Sequence, residues 1–416
     1  LARFASTLAP LRHRDFRRLW AGTFFATAGQ WVQQATLGWV VYHITGSASV
    51  LGAVLGIRAI PMLLLAPVSG LVADRYDRRY GLALSQLLMV VISIALSALL
   101  AFEAIRVWHL FAFSVLSGVA AVFDRTLRST LVFHSVPRSD AANAVALNSI
   151  AFSVSRAVGP SLAGFLIGAV GAAANFGIQA LLYMGVVFAA LSVQATPVLP
   201  RAKKRTSAWE EMKEGVRFTA ADPVARMMIV LGLVPPLLLI PSFSALMPVF
   251  AADIFKSGPE GLGLLLSAVG VGGILGGLVS AWTARYDQTG LIQTLALAVF
   301  AFSLIAFAMS PNIAVAVVFL AIAGIAEMVH HTVHVTTLQM CAPEHMRGRI
   351  ASLLPIFPAF ISVGALVAGV LADFLGPEIV VMLLALLALA VVIAAWARST
   401  AVRELRMSRL IAGEKN

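Results

Sequence analysis

Long apolar runs, broken only by short polar segments, recur from near residue 18 to near residue 398. Each is about as long as the ~20 residues a helix needs to cross a bilayer. Hydrophobic residues make up 60% of the chain and charged residues 12%, more apolar surface than a water-soluble fold hides. The runs are too long and too uniformly apolar for the alternating strands of a membrane barrel. The expected fold is therefore an all-α membrane protein of about 12 spans. They are read near 18–44, 49–74, 79–102, 106–134, 140–171, 174–195, 224–250, 259–284, 289–309, 312–341, 349–375 and 377–398.

A net charge of +11 would suit a nucleic-acid partner, but its distribution does not. Of the 30 Lys and Arg residues, 24 fall in segments on the side of the N-terminus. Arg106 and Lys256 lie in loops of the other side, and Arg58, Arg125, Arg128 and Arg156 lie inside spans. That bias predicts an inner-membrane protein with both termini in the cytoplasm, and it accounts for the charge without nucleic acid. The single cysteine, Cys341, excludes an intramolecular disulfide and a multi-cysteine metal centre. No phosphate-binding loop of the G-x-x-x-x-G-K-[ST] type is present, so ATP is not the expected energy source.

Short segments repeat at an offset of about 205–210 residues. Leu71 to Asp77 (LVADRYD) corresponds to Leu278 to Asp287 (LVSAWTARYD), and Gly159 to Gly164 (GPSLAG) to Gly364 to Gly369 (GALVAG). Pro137-Arg138 corresponds to Pro343 through Arg347. Three matches in one order predict parallel repeats. The expected organisation is a six-helix bundle over 1–195, a cytoplasmic linker over 196–222 and a second six-helix bundle over 223–416, with a cavity between the halves.

The segment Gly70-Leu-Val-Ala-Asp74-Arg75-Tyr-Asp77-Arg78-Arg79 follows the second span. Gly70 permits close helix approach, Asp74 can cap a helix start, and the arginines suit carboxylates or lipid phosphates at the interface. It resembles the loop motif G-x-L-a-D-r-x-g-r-[RK]-x-x of the major facilitator superfamily, with Asp77 in place of the usual small residue. Gly159-Pro160-Ser-Leu-Ala-Gly164, preceded by Arg156, is similar to the G-P-x-x-G signature of exporter branches. A plain packing seam is the other reading of those glycines.

Further matches narrow the resemblance. They are Phe16-Arg-Arg-Leu-Trp20, Thr45-Gly-Ser-Ala48, Phe123-Asp124 with Arg128, Asn143 to Asn148, and Arg347-Gly-Arg349. Together they resemble the enterobactin-exporter-like branch, which includes siderophore exporters and macrolide efflux pumps. Arg125-Thr-Leu-Arg128 departs from the usual N-P-x-R of that branch. The resemblance implies an exporter driven by the proton gradient, without other cofactors.

Ionisable groups are costly inside a span, and they are the candidates for coupling. Glu327 lies mid-way along the tenth span, where desolvation disfavours its charged form. His331 and His334 follow at four and seven residues, with His330 beside them, so Glu327, His331 and His334 are expected to share a face as a proton relay. A polar network holding helices together is the alternative, and a transition metal is the least favoured reading of that spacing. Asp124 and Arg128 form an i,i+4 pair that is either a coupling element or a structural ion pair. Arg58 and Arg156 could attract an anionic substrate group. Gln30, Gln33 and Gln34 cluster in the first span with Trp31. Gln30 and Gln34 are expected to bind substrate, with interhelical hydrogen bonding as the alternative.

The expectation is thus a monomeric, non-enzymatic, metal-free secondary transporter that exports a small organic molecule by proton antiport. Its gating motifs would be Gly70, Asp74, Arg75, Arg78 and Arg79, with Gly159, Pro160 and Gly164. A lipid or lysolipid flippase, an organic-anion importer and a non-transporting membrane sensor are the alternatives.

Overall fold

The computed structural model describes residues 8–193, 213–214, 217, 219–341 and 357–408. Among them the chain is helical, with no strand. The helices are α1 (Arg14–Thr45), α2 (Ala48–Gly56), α3 (Ala59–Arg75), α4 (Arg78–Ala101), α5 (Val107–His134) and α6 (Ala141–Leu191). They continue as α7 (Pro223–Val234), α8 (Gly258–Thr283), α9 (Thr289–Ala308), α10 (Ile313–Met340), α11 (Phe357–Leu375), α12 (Pro377–Arg398) and the short α13 (Thr400–Arg403). Most of the expected linker 196–222, the segment Arg347–Arg349 and the side chain of Asp74 lie outside the described residues.

Nine stretches among the described residues are long and apolar enough to cross a membrane, and Ala359–Leu375 is a shorter apolar helix. Nine is fewer than the twelve expected. Part of the difference is α6, whose 51 residues suffice for two spans and which turns at Gly171 (φ 81°, ψ 163°). Only glycine adopts that backbone region without strain. The fifth and sixth expected spans meet there. The second expected span is among the nine, as Ala48–Leu65, and a turn at Ile57–Arg58 divides it into α2 and α3.

The chain forms two compact units. Unit 1 comprises Leu1–Gly46, Ile57–Lys203 and Gly258–Ser267; unit 2 comprises Ser47–Gly56, Lys204–Ser257 and Ala268–Asn416. Segments of two spans are therefore exchanged: α2 belongs to unit 2, and the first turns of α8 to unit 1.

In unit 1, α6 packs along α1 and α4, and α5 packs along α4 and α3. Leu19, Leu82, Leu127, Leu131 and Ala190 form one core, and Phe16, Val132, Ala144 and Leu147 another. Lipid tails are as apolar as leucine, so helices are held in a membrane by close packing and hydrogen bonds. Polar ties accordingly join the packed helices. Asn175 Nδ2 donates to Thr36 Oγ1 at 2.7 Å, and Trp20 Nε1 donates to the Leu147 carbonyl at 3.0 Å.

The start of α4 corrects one expectation. The capping residue is Asp77, whose carboxylate accepts the Arg79 main-chain N–H at 3.0 Å, while Asp74 lies within α3. Arg79 Nη2 also donates to Asp77 at 2.8 Å, and its Nη1 donates to the Val193 carbonyl at 2.7 Å. These Arg79 bonds hold the Asp77 carboxyl below its ordinary range. The residue that departs from the family motif thus closes a cap and a clamp. Around Gly70, nothing among the described residues lies within 4 Å of where a Cβ would sit, so close approach is not its use in this conformation.

In unit 2, α9 packs on α10 and α12 around Phe300 and Phe307. The Phe250 and Phe307 rings stand 4.5 Å apart. The prolines after α7 do not simply kink it: Pro235–Leu239 and Phe250–Ile254 widen into π-helical turns, which absorb the lost hydrogen bonds. On α8, Gly272 and Gly276 admit the carbonyls of Ala321 and Ile325, while Gly277 faces open space. Near the C-terminus, Asp287 accepts the Ser408 main-chain N–H and hydroxyl, each at 2.7 Å.

Candidate functional site

The three glutamines of α1 separate. Gln33 is buried and accepts from Tyr183 Oη at 3.1 Å and Gln179 Nε2 at 3.3 Å, tying α1 to α6. Gln30 is exposed and Gln34 partly buried. Polar groups exposed at mid-span are unfavourable against lipid and suit a water-filled path. Trp31 lies beside them. Its ring centroid is 6.0 Å from the Phe152 ring, and the Arg156 guanidinium carbon is 6.0 Å from that centroid. Gly159 makes this possible, because a Cβ there would lie 2.8 Å from Trp31 Cβ. Gln30 and Gln34 of α1 thus lie near the Trp31–Phe152 ring pair of unit 1, with Arg156 over Trp31, a set of groups able to stack a flat ring and hydrogen-bond its substituents.

Pro160 and Gly164 serve a different contact. A Cβ on Gly263 would sit 2.6 Å from the Pro160 carbonyl oxygen, and one on Gly164 would strike the Pro259 carbonyl. Ser161 N donates to Ser267 Oγ at 2.9 Å. The glycine-proline motif is therefore a close backbone seam onto the first turns of α8 within unit 1, and only Gly159 touches the aromatic wall.

Deeper in unit 1, the Arg128 guanidinium engages the Asp124 carboxylate through Nη2 and, at 3.1 Å, through Nε. Gln86 Nε2 donates to the same oxygen at 2.9 Å. Arg128 Nη1 is buried without a hydrogen-bond partner among the described residues. Arg125, one position on from Asp124, is exposed. Arg58 sits at the break between α2 and α3, packed against Gly118, with its Nε buried and unpartnered among the described residues. Among the described residues the hydrogen-bond partners of Asp124 are Arg128 and Gln86.

The α10 stripe also divides. His330 and His334 are buried, at 3% and 5% exposure, with rings 5.5 Å apart and nearly parallel. His334 meets the Phe357 ring edge-on at 5.4 Å and lies against Gly232. Glu327 is partly buried and His331 exposed. At about 100° per residue, His330 and His334 lie on the buried side of α10, where Gly232 of α7 and Phe357 of α11 meet His334, while His331 is turned outward and Glu327 lies at the border. The partner of His334 is thus His330, and Glu327 with His331 occupies the neighbouring face.

This arrangement, helices with polar and aromatic groups held at mid-span, defines a multi-pass membrane transporter of the major facilitator type. The family model described as transmembrane secretion effector matches residues 5–412, and the chain belongs to that family. Among its relatives is the multidrug efflux pump Tap of Mycolicibacterium fortuitum, 26% identical over 84% of this chain and 87% of the relative. The staphyloferrin A transporter of Staphylococcus aureus is 23% identical over 86% and 89%. The enterobactin exporter EntS of Shigella boydii is 25% identical over 82% and 81%. These relatives are transporters, not enzymes. Solved structures share the fold. A mutant of the nucleoside transporter NupG superposes with TM-score 0.78 at 14% identity, covering 92% of this chain and 99% of that one. A bacterial homologue of the lysosomal transporter Spinster gives 0.73 at 14% identity, covering 98% and 99%.

Proposed function

We propose that the protein exports a small organic molecule, siderophore-like or drug-like, across the bacterial inner membrane by proton antiport with alternating access. The observation that carries this reading is the wall of Gln30, Trp31, Gln34, Phe152 and Arg156, polar and aromatic in the middle of apolar spans. Its mixture of rings, amides and one cation suits flat, hydrogen-bonding, partly anionic molecules. The names of the efflux and siderophore relatives agree with that chemistry.

In this reading the spans form two six-helix bundles, over 1–195 and 223–416, and both termini are cytoplasmic. Glu327 is the principal proton-exchanging group, at the border of the covered face of α10 and one turn from His331. His334 and His330 back it. Asp124 is a second acid, whose protonation would release Arg128. Arg58 adds positive charge near the break of the second span. Asp74 and the arginines after it work at a moving interface, and the protein acts as a monomer.

The test is transport in proteoliposomes. Under an imposed proton gradient, ethidium and a catecholate siderophore are supplied on the cytoplasmic face. Gradient-dependent movement of either supports the reading. Movement of neither, or movement indifferent to the gradient, refutes it.

A further inference from the structure

We propose that Asp373 is a conformational latch: its carboxylate holds the first turn of α2 against the end of α11, and this hold breaks each time the transporter reverses its access. The proposal rests on the alternating-access reading above and adds a residue and a site of action to it.

The geometry begins with the Thr45-Gly-Ser-Ala48 segment. Gly46 ends α1 in the left-handed region (φ 60°), with its N–H on the Tyr42 carbonyl at 2.8 Å. The next residue, Ser47, opens α2. The first N–H groups of a helix have no partner within it. Here Asp373 takes two of them: Ala48 N donates to Oδ1 at 2.7 Å, and Ser49 N donates to Oδ2 at 3.0 Å. Ser47 Oγ donates to Oδ2 at 2.7 Å and accepts the Val50 N–H at 3.2 Å. An anion at the positive end of a helix, bonded by three donors, is a charge-assisted cap. It is supplied by a residue more than 300 positions away.

The helices beneath the cap touch through backbone. A Cβ on Gly52 would strike the Ala365 carbonyl, one on Gly369 the Ala48 carbonyl, and one on Gly56 would lie 3.0 Å from the Ser362 carbonyl oxygen. Gly369 therefore admits the α2 backbone one turn before Asp373 caps it. The five residues Gly369-Val-Leu-Ala-Asp373 echo Gly70-Leu-Val-Ala-Asp74. One segment closes α3, and the other closes α11.

Two features make this contact a latch rather than a fixed brace. The first is connectivity. α2 belongs to unit 2 and the next residue after it, Ile57, to unit 1. In the alternating-access reading α2 moves with the bundle 1–195 that carries it in the chain, and then only non-covalent contacts, the Asp373 cap among them, oppose its leaving α11. The second is exposure: Asp373 is solvent-exposed, so its carboxylate is rehydrated on release and the bond is reversible. A buried charge would have no such exit. The other exchanged segment, Gly258–Ser267, is held on α6 by the neutral Ser161 hydrogen bonds and the Pro160–Gly263 contact.

Hydrogen–deuterium exchange of the full chain in lipid nanodiscs tests the latch without a substrate or a proton gradient. In Asp373→Ala, exchange over residues 45–56 should quicken at least fivefold. Exchange over 158–168 and 258–267, which share no hydrogen bond with Asp373, should quicken with it. A rise confined to 45–56 and 365–375 would reduce Asp373 to a static cap and overturn the proposal, as would no rise. A second variant guards against misfolding. Ser47→Cys with Asp373→Cys, made in a Cys341→Ser background, should form a disulfide that slows exchange over 158–168 and 258–267, and dithiothreitol should reverse the slowing in the same polypeptide. Exchange there that ignores the disulfide's redox state also overturns the latch. Failure of ethidium or siderophore export would count against the transport reading alone, because neither exchange experiment uses it.

Discussion

Gly159 leaves the space that Trp31 occupies: a Cβ on Gly159 would lie 2.8 Å from Trp31 Cβ. Gly159→Ala therefore has two opposed consequences. The helix gains up to about 1 kcal/mol of intrinsic propensity, while Trp31 is pushed off α6 and away from Arg156. The clash is with Trp31 Cβ rather than a flexible tip, so overpacking outweighs that gain and melting temperature should fall modestly. Affinity for a bound fluorescent substrate should fall roughly tenfold, about 1.4 kcal/mol. Tryptophan-fluorescence titration checks it; unaltered affinity would remove Trp31 from the binding wall.

The Asp124–Arg128 pair makes a different prediction. Arg128 is 9% exposed and its Nη1 already lacks a partner among the described residues. Removing the carboxylate leaves an uncompensated buried charge, a loss of about 3–5 kcal/mol in comparable sites. Asp124→Asn should therefore lower the melting temperature clearly. Asp124→Leu combined with Arg128→Met should restore most of it. A double variant as unstable as the single one would show that Gln86 or the local helix packing, not the charge pair, sets stability there.

The helical membrane architecture was legible because a bilayer imposes length and apolarity on every span. Residue 171 was legible as a boundary between spans, where Gly171 makes the turn. Which of several neighbouring polar residues faces inward was not. Gln33 and Gln34, or His330 and His331, differ by about 100° around a helix, and only the packing partner decides between them: α6 for Gln33, and Gly232 with Phe357 for His334. Phe152 carried no signal, since an apolar residue in an apolar span is unremarked. The Asp77 cap was readable in principle, as an Asp immediately before a helix start, but the family motif drew attention to Asp74. The exchange of α2 into unit 2 is a tertiary fact; its nearest sequence trace is the small-residue spacing of Gly52 and Gly56.

Asp77 also sets a pH dependence. Its carboxyl is held below the ordinary value by the Arg79 hydrogen bonds. A depressed folded-state value contributes stability that is complete above the unfolded pKa of about 3.9 and disappears as pH falls through the folded one. Asn caps a helix as well as Asp, so what is at stake is the charge on the carboxylate in a partly exposed pair with Arg79, less than about 1 kcal/mol. The melting difference between wild type and Asp77→Asn should stay constant from about pH 8 to pH 5 and close in more acidic buffer. A difference that widens on acidification would contradict the assignment.

Glu327 carries the sharpest prediction. It is partly buried at the border of the covered face of α10, one turn before His331 and beside the stacked His330–His334 pair. A carboxyl group at mid-span is costly when charged and lipid-shielded, and stable when it meets water. The proposed antiport assigns it the proton that is exchanged, and a variant that cannot ionise tests that assignment. Glu327→Gln mimics the protonated form permanently. Proton-driven net export should fall to background in proteoliposomes, while substrate binding and substrate exchange across the membrane persist. His334→Gln, which keeps a polar side chain against Gly232 and Phe357, should slow export without abolishing its dependence on the gradient. Wild-type gradient-driven export by Glu327→Gln would exclude Glu327 as the coupling group. Loss of folded protein in detergent would instead assign it to a polar network that holds α10 in place. If Asp124→Asn, in a background where it still folds, uncouples transport while Glu327→Gln does not, the coupling acid lies in unit 1, and proton arrival acts by freeing Arg128.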